Sequence, residues 1–195
     1  NKININQKIT ITNTTLKGLD SIYLSDWNNS YSSKKTDLAI RFAEEYSTKL
    51  HFSNEKEKGF TNIKTIKHNK LNLKFIRARY DIISVVLNKT LQPNEKITLN
   101  LEYVLQLPSD KFSRFGIDNK KNIKLKEWFL IPAKLTDTWQ YYSNKDLDDL
   151  YFPNSDITIG ITLPKKYNVI SDLDFVDKYI TDQKKSITLH GQNRI

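Results

Sequence analysis

The sequence predicts an all-β, mainly antiparallel fold, a β-sandwich or twisted sheet with one short helix near residues 36–48. Three observations lead there. Apolar and polar residues alternate in short runs, the pattern of half-buried strands. Turn-forming clusters such as NKTLQPNE, PSDK and FPNSD separate those runs. A helical period appears once only, so strands and helices do not alternate as parallel crossovers require.

In chain order the expected strands are KITIT (8–12), DSIYL (20–24), KLNLKFI (70–76), DIISVVL (81–87) and KITLNLEYVLQL (96–107). NIKLKEWFLIP (122–132), DITIGITLP (156–164), YNVISDLDF (167–175) and KSITLHG (185–191) follow. Pro93-Asn94 suits the corner of a tight turn, which predicts a hairpin between DIISVVL and KITLNLEY. TDLAIRFAEEYSTKL (36–50) sets Leu38, Ala39, Phe42, Ala43 and Tyr46 on one helical face. Thr36 is the expected N-cap, and Asp37 favours the first turn. No repeat, linker or low-complexity run divides the chain, so residues 1–195 read as a single β-domain.

Composition narrows the function classes. At 195 residues the chain is long enough for a real core, and no window approaches a membrane-spanning apolar run. The net charge of +9 comes almost wholly from scattered Lys; Arg occurs only at 41, 77, 79, 114 and 194. Base reading and bidentate phosphate contacts favour Arg, so a nucleic-acid partner is not indicated. With no Cys, disulfides, thiolate zinc sites and Cys nucleophiles are excluded, but cytoplasm and periplasm stay equally open. The chain has no Met and starts on strand-like residues, which reads as a piece of a longer protein.

The search for chemistry is mostly negative. His51, His68 and His190 are far apart, so no H-E-x-x-H zinc helix exists. Five Gly in the whole chain leave no phosphate cradle, and G-x-S-x-G is missing. The acidic run NKDLDDLYFPNSD (144–156) starts like a calcium loop, with Asp146 and Asp148 as first ligands. Leu150 and Tyr151 then stand where a ligand and a Gly are needed. Asp148 and Asp149 are adjacent and would point apart on a strand, so the run reads as a connection. Dense aromatics in WFLIP (128–132) and TWQYYSN (138–144) suit core packing or a partner-facing patch. On that patch a second reading rests, a stand-alone β-sandwich binding module for a carbohydrate or protein.

Several segments in order carry a resemblance: DSIYLSDWNNSYS, TDLAIRFAEEYSTKLHFSNEKEKGF, LNKTLQPNEKITLNLEYVLQLPSDKFSRFG, WFLIPA, and KDLDDLYFPNSDITIGITLPKKYNVISD. Together they span roughly residues 8–175. The series resembles the N-terminal domain of aminopeptidase N-type zinc metallopeptidases, in the form found in Bacteroidetes. The resemblance implies a saddle-like β-domain, inactive alone, packed on a thermolysin-like catalytic domain of the same polypeptide. The parent enzyme would remove N-terminal residues from peptides. Its zinc would be held by two His and a Glu outside this chain; this chain itself would bind no cofactor. In the family, a short stretch of this domain reaches the pocket for the first substrate residue. Here it falls on Leu130, Ile131, Pro132 and Ala133, which offer an apolar wall and no amide or carboxylate. Loops like 144–156 border the substrate entrance in that family, which assigns Asp148 and Asp149 there. The resemblance implies a bacterial parent; a periplasmic location, or membrane attachment through other parts of it, stays open.

Overall fold

The computed structural model describes residues 1–147 and 151–194. It divides into two compact units, Asn1–Phe152 and Pro153–Ile195. In the first unit the strands are β1 (Lys2–Thr12), β2 (Leu19–Ser25), β3 (Phe60–His68), β4 (Leu71–Asn72), β5 (Phe75–Arg79) and β6 (Ile82–Leu91). After these come β7 (Lys96–Gln106), β8 (Gly116–Ile117), β9 (Ile123–Lys124), β10 (Ile131–Pro132), β11 (Lys134–Leu135) and β12 (Trp139–Gln140). A 3-10 turn, Trp27–Tyr31, and one helix, α1 (Asp37–Glu44), complete the unit. The second unit holds β13 (Ser155–Pro164), β14 (Asp174–Ile180) and β15 (Lys184–Arg194). The class is all-β and antiparallel, with one short helix.

Two four-stranded sheets build the first unit, in the orders β1-β7-β3-β4 and β10-β2-β6-β5. The alternation read from sequence sends Ile9, Ile11, Leu99, Leu101 and Tyr103 inward from the first sheet. Ile22, Leu24, Ile83 and Val85 meet them from the second, in one shared core. A separate cluster packs Leu38, Ala39 and Phe42 of α1 against Trp27, Tyr31, Leu107, Phe112 and Phe115.

β6 and β7 do not form the expected hairpin. They lie in opposite sheets, so the Pro93-Asn94 turn is an arch over the core rather than a ladder end. Asn13 explains this. Its backbone N donates to Glu95 O, its O accepts from Asn94 N, and its Nδ2 donates to Leu91 O (2.9 Å) and Lys17 O (2.7 Å). One buried amide thus ties the β1–β2 arch to the β6–β7 arch. KLNLKFI is likewise two strands; at Leu73 and Lys74 the chain passes from the first sheet to the second.

Other differences have local causes. β3 was not expected, because a bulge between Ile63 and Thr65 shifts its inward phase and places Ile63 and Ile66 three apart. NIKLKEWFLIP holds only β9 and β10, with Glu127 at φ 41° between them. YNVISDLDF stays irregular until Asp174. Thr36 caps α1 as expected, accepting from Ala39 N at 3.2 Å. The helix ends sooner than 48, because Tyr46 adopts φ 61°. Ser47 N then bonds Phe42 O and Tyr46 N bonds Ala43 O, a Schellman closure. Tyr46 therefore leaves the buried face, and Ala43, beside the Leu38, Ala39 and Phe42 stripe, is exposed as well.

In the second unit β15 lies between β13 and β14. Ile157, Ile159 and Ile161 pack with Leu173, Ile187, Leu189 and Val169 on one side. The other side is polar: Thr158 Oγ1 meets His190 Nδ1, and Thr162 Oγ1 meets Ser186 Oγ, each at 3.0 Å.

Candidate functional site

The segment SDWNNS ends β2 and builds a buried polar anchor. Asp26 caps the 3-10 turn, accepting from Asn29 N. Its carboxylate also accepts from Thr61 Oγ1 (2.6 Å) and Arg77 Nη2 (2.8 Å). Burial pushes the Asp26 carboxyl above its usual range, while the Arg77 guanidinium pulls it down. Asn29 joins the same strands a second way, donating to Tyr80 O and accepting from Thr61 N. Asp81 is the other half of the anchor. It accepts from Ser30 Oγ (3.1 Å), Ser143 Oγ (2.7 Å) and Asn144 N (2.7 Å). The root of the acidic run is thus fastened to the β5–β6 turn, while Asp148 and Asp149 lie outside the described residues.

The WFLIPA stretch is held from beneath. Gln7 Nε2 donates to Leu130 O at 2.7 Å, Leu130 N donates to the Tyr103 hydroxyl at 3.1 Å, and that hydroxyl donates to Gln7 Oε1. Burial raises the Tyr103 phenol well above its ordinary value. Ile131 and Pro132 pair with Ser25 and Leu24, adding β10 to the second sheet. Leu130 (1% exposed), Ile131 (5%) and Ala133 (3%) are spent inside the fold; Pro132 is half-buried. Sequence reasoning passed over Gln7, yet it carries a signal. It alone breaks the inward series Ile3, Ile5, Ile9, Ile11, and a polar residue in an inward phase needs a buried partner.

The TWQYYSN segment runs beside β2, with Trp139 packed against the shared core and Tyr141 over Tyr23. Trp139 donates Nε1–H to Ser21 O at 3.0 Å, and Tyr141 stacks on Tyr23 with ring centres 4.0 Å apart. A hydrogen bond that Tyr141 donates to Tyr23 raises the Tyr141 phenol. The first sheet holds a depression of about 300 Å³ lined mainly by Asn, Gln, Lys, Thr and Glu side chains with Leu101, and no aromatic ring among them.

Among the described residues no set of side chains fits a zinc ion. His51 packs on Phe52, His68 Nδ1 sits 2.9 Å from Thr98 O, and His190 is bound to Thr158. Among the described residues no three His, Asp or Glu side chains gather as ligands. What the geometry does is fasten chain segments, through Asp26, Asp81 and Gln7.

No family model matches the sequence, and no curated protein matches it. Among solved structures, the fold is similar to an M1 zinc metallopeptidase from Deinococcus radiodurans, crystallised as a single-site variant. The TM-score is 0.51 at 15% identity, over 96% of this chain and 34% of that one. The same variant bound to a Tyr-Ser-Ala substrate gives 0.50 at 14% identity, over 95% and 34%. The chain therefore spans about a third of the length of these peptidases, and at this identity the likeness is one of fold.

Proposed function

We propose that residues 1–195 are the non-catalytic N-terminal domain of a zinc aminopeptidase, Bacteroidetes-like in form, that removes N-terminal residues from peptides. The observation carrying this reading is the fold match, which takes in nearly all of this chain and a third of each peptidase. The ordered segments from DSIYLSDWNNSYS to DITIGITLPKKYNVISD support it independently. The partner is the catalytic domain of the same polypeptide. There two His and a Glu would hold zinc, which supplies a Lewis acid and an activated water.

This chain's part is positional. Gln7 and Tyr103 hold Leu130, and with it the 130–133 wall beside the first substrate residue, where Pro132 is the member with surface to offer. Asp81 fixes Ser143 and Asn144, and so the approach to Asp148 and Asp149 at the entrance. The test has two arms. The reading frame beyond Ile195 is expected to encode H-E-x-x-H within roughly 150 residues. The purified 195-residue chain is expected to leave aminoacyl p-nitroanilides intact. Hydrolysis by this chain, or tight stoichiometric zinc on it, overturns the proposal.

A further inference from the structure

We propose that the free edge of β1 is a self-association surface, on which two copies of the chain join their first sheets. β1 pairs antiparallel with β1 of the second copy about a two-fold axis at Gln7. The inference is independent of the function proposed above.

A sheet edge is a template for a further strand, and folds blunt their edges by shortening, bulges or Pro. Among the described residues every other edge strand is blunted. β4 and β8 to β12 are two residues long, β5, β13 and β14 each carry a bulge, and β13 ends on Pro164. β1 is an edge strand of eleven residues in unbroken register with β7.

Its free backbone groups follow from the ladder. Leu107 N donates to Asn1 O and Asn13 N donates to Glu95 O, each at 2.9 Å. Bonded and non-bonded pairs alternate in an antiparallel ladder, so the odd residues between them bond β7. Lys2, Asn4, Asn6, Lys8, Thr10 and Thr12 therefore turn N–H and C=O to the free edge, where no described residue bonds them.

One register satisfies all six. An axis at Gln7 sets Lys2 opposite Thr12, Asn4 opposite Thr10 and Asn6 opposite Lys8 of the second copy. It also sets Ile3 on Ile11 and Ile5 on Ile9, covering the half-buried Ile3 and Ile5. Glu102 stands next to Asn6 in its row, an acid on the side that the incoming Lys8 approaches. Charge excludes the rivals. An axis at Ile5 opposes Lys2 to Lys8, an axis at Lys8 opposes that residue to itself, and a parallel in-register neighbour stacks both Lys. Any axis other than Gln7 leaves outward groups of β1 unpaired. The competing occupants are another segment of the same polypeptide and a strand of an unlike protein.

In the longest polypeptide encoded by this reading frame, sedimentation equilibrium is expected to show a concentration-dependent dimer. Asn6→Lys, at an exposed position, puts a like charge opposite Lys8 on both sides of the axis and is expected to weaken that dimer about ten-fold. Adding Lys8→Glu, also at an exposed position, makes both contacts opposite-charge pairs and is expected to restore it. Amide exchange at Asn4, Asn6, Lys8 and Thr10 is expected to slow as concentration rises. A monomer at every concentration up to about 1 mM overturns the inference and leaves the edge to a competing occupant. A dimer that ignores Asn6→Lys, that Lys8→Glu does not recover, or that leaves those amides unprotected assembles elsewhere and also overturns it.

Discussion

Residues 1–152 and 153–195 solve the same problem with unequal means. The first unit faces two sheets across one core and adds a second aromatic cluster beneath α1. The second has a single three-stranded sheet, and among the described residues only Leu173, Ile187 and Leu189 are its buried hydrophobics. Its one buried cation, Lys185, has Asn168 Oδ1 at 3.4 Å. Units near 40 residues seldom support a core by themselves. The difference teaches that polar anchoring is possible where burial is deep. Asn13, Asp26 and Asp81 are buried, and each is bonded to segments remote in sequence.

The largest expected effect comes from the core. Leu99→Ala removes a fully buried side chain from the middle of β7 and should cost about 3 kcal/mol, read as a lower urea midpoint. Leu189→Ala should instead leave amide protection in β2, β6 and β7 unchanged and speed exchange across β13–β15 alone. Loss of protection in both units after Leu189→Ala would erase the contrast.

Next comes Asn13→Ala, which removes the side-chain donor from Leu91 O and leaves Lys17 O with the Thr15 hydroxyl alone. A loss of about 2 kcal/mol is expected, with faster exchange at Asn94 and Glu95. A loss as small as that of an exposed Asn→Ala change would mean the arches close without this amide.

The smallest effect is a pH dependence. Asp26 has a folded pKa above its ordinary 3.8, so the folded chain keeps this proton where the unfolded chain has released it. Stability from this group is therefore full below about pH 3.8 and falls as pH rises through the folded value. Urea midpoints of Asp26→Asn against the native chain, from about pH 4 to about pH 7, should move in the variant's favour as pH rises. Movement the other way would make Arg77, rather than burial, the stronger influence.

Much of this architecture was legible as alternation, because a strand with one buried face writes a period of two into its residues. β1, β2, β7, β13 and β15 were read that way, and Thr36 announced α1. What was hidden is where the period slips or the partner is remote. The bulge at Ile63–Thr65 masked β3, and the Pro93 turn was ambiguous because a tight turn serves a hairpin and an arch alike. The anchors were hidden for another reason. Asp26 and Asp81 sit in turn-like sequence, where acidic residues are commonplace, and only their long-range partners make them internal. Gln7 was the readable exception.

The pairing of β1 has a consequence for synthesis. Among the described residues its strand partner is β7, residues 96–106, so nothing there can zip to Lys2–Thr12 until β7 has been made. At roughly 5–20 residues per second, β1 leaves the ribosome and waits on the order of five to twenty seconds with Ile3, Ile5, Ile9 and Ile11 uncovered. Lys2 and Lys8, on the side of the strand that never enters the core, are placed to guard it during that interval, as gatekeeper charges keep a nascent apolar strand from joining a neighbour.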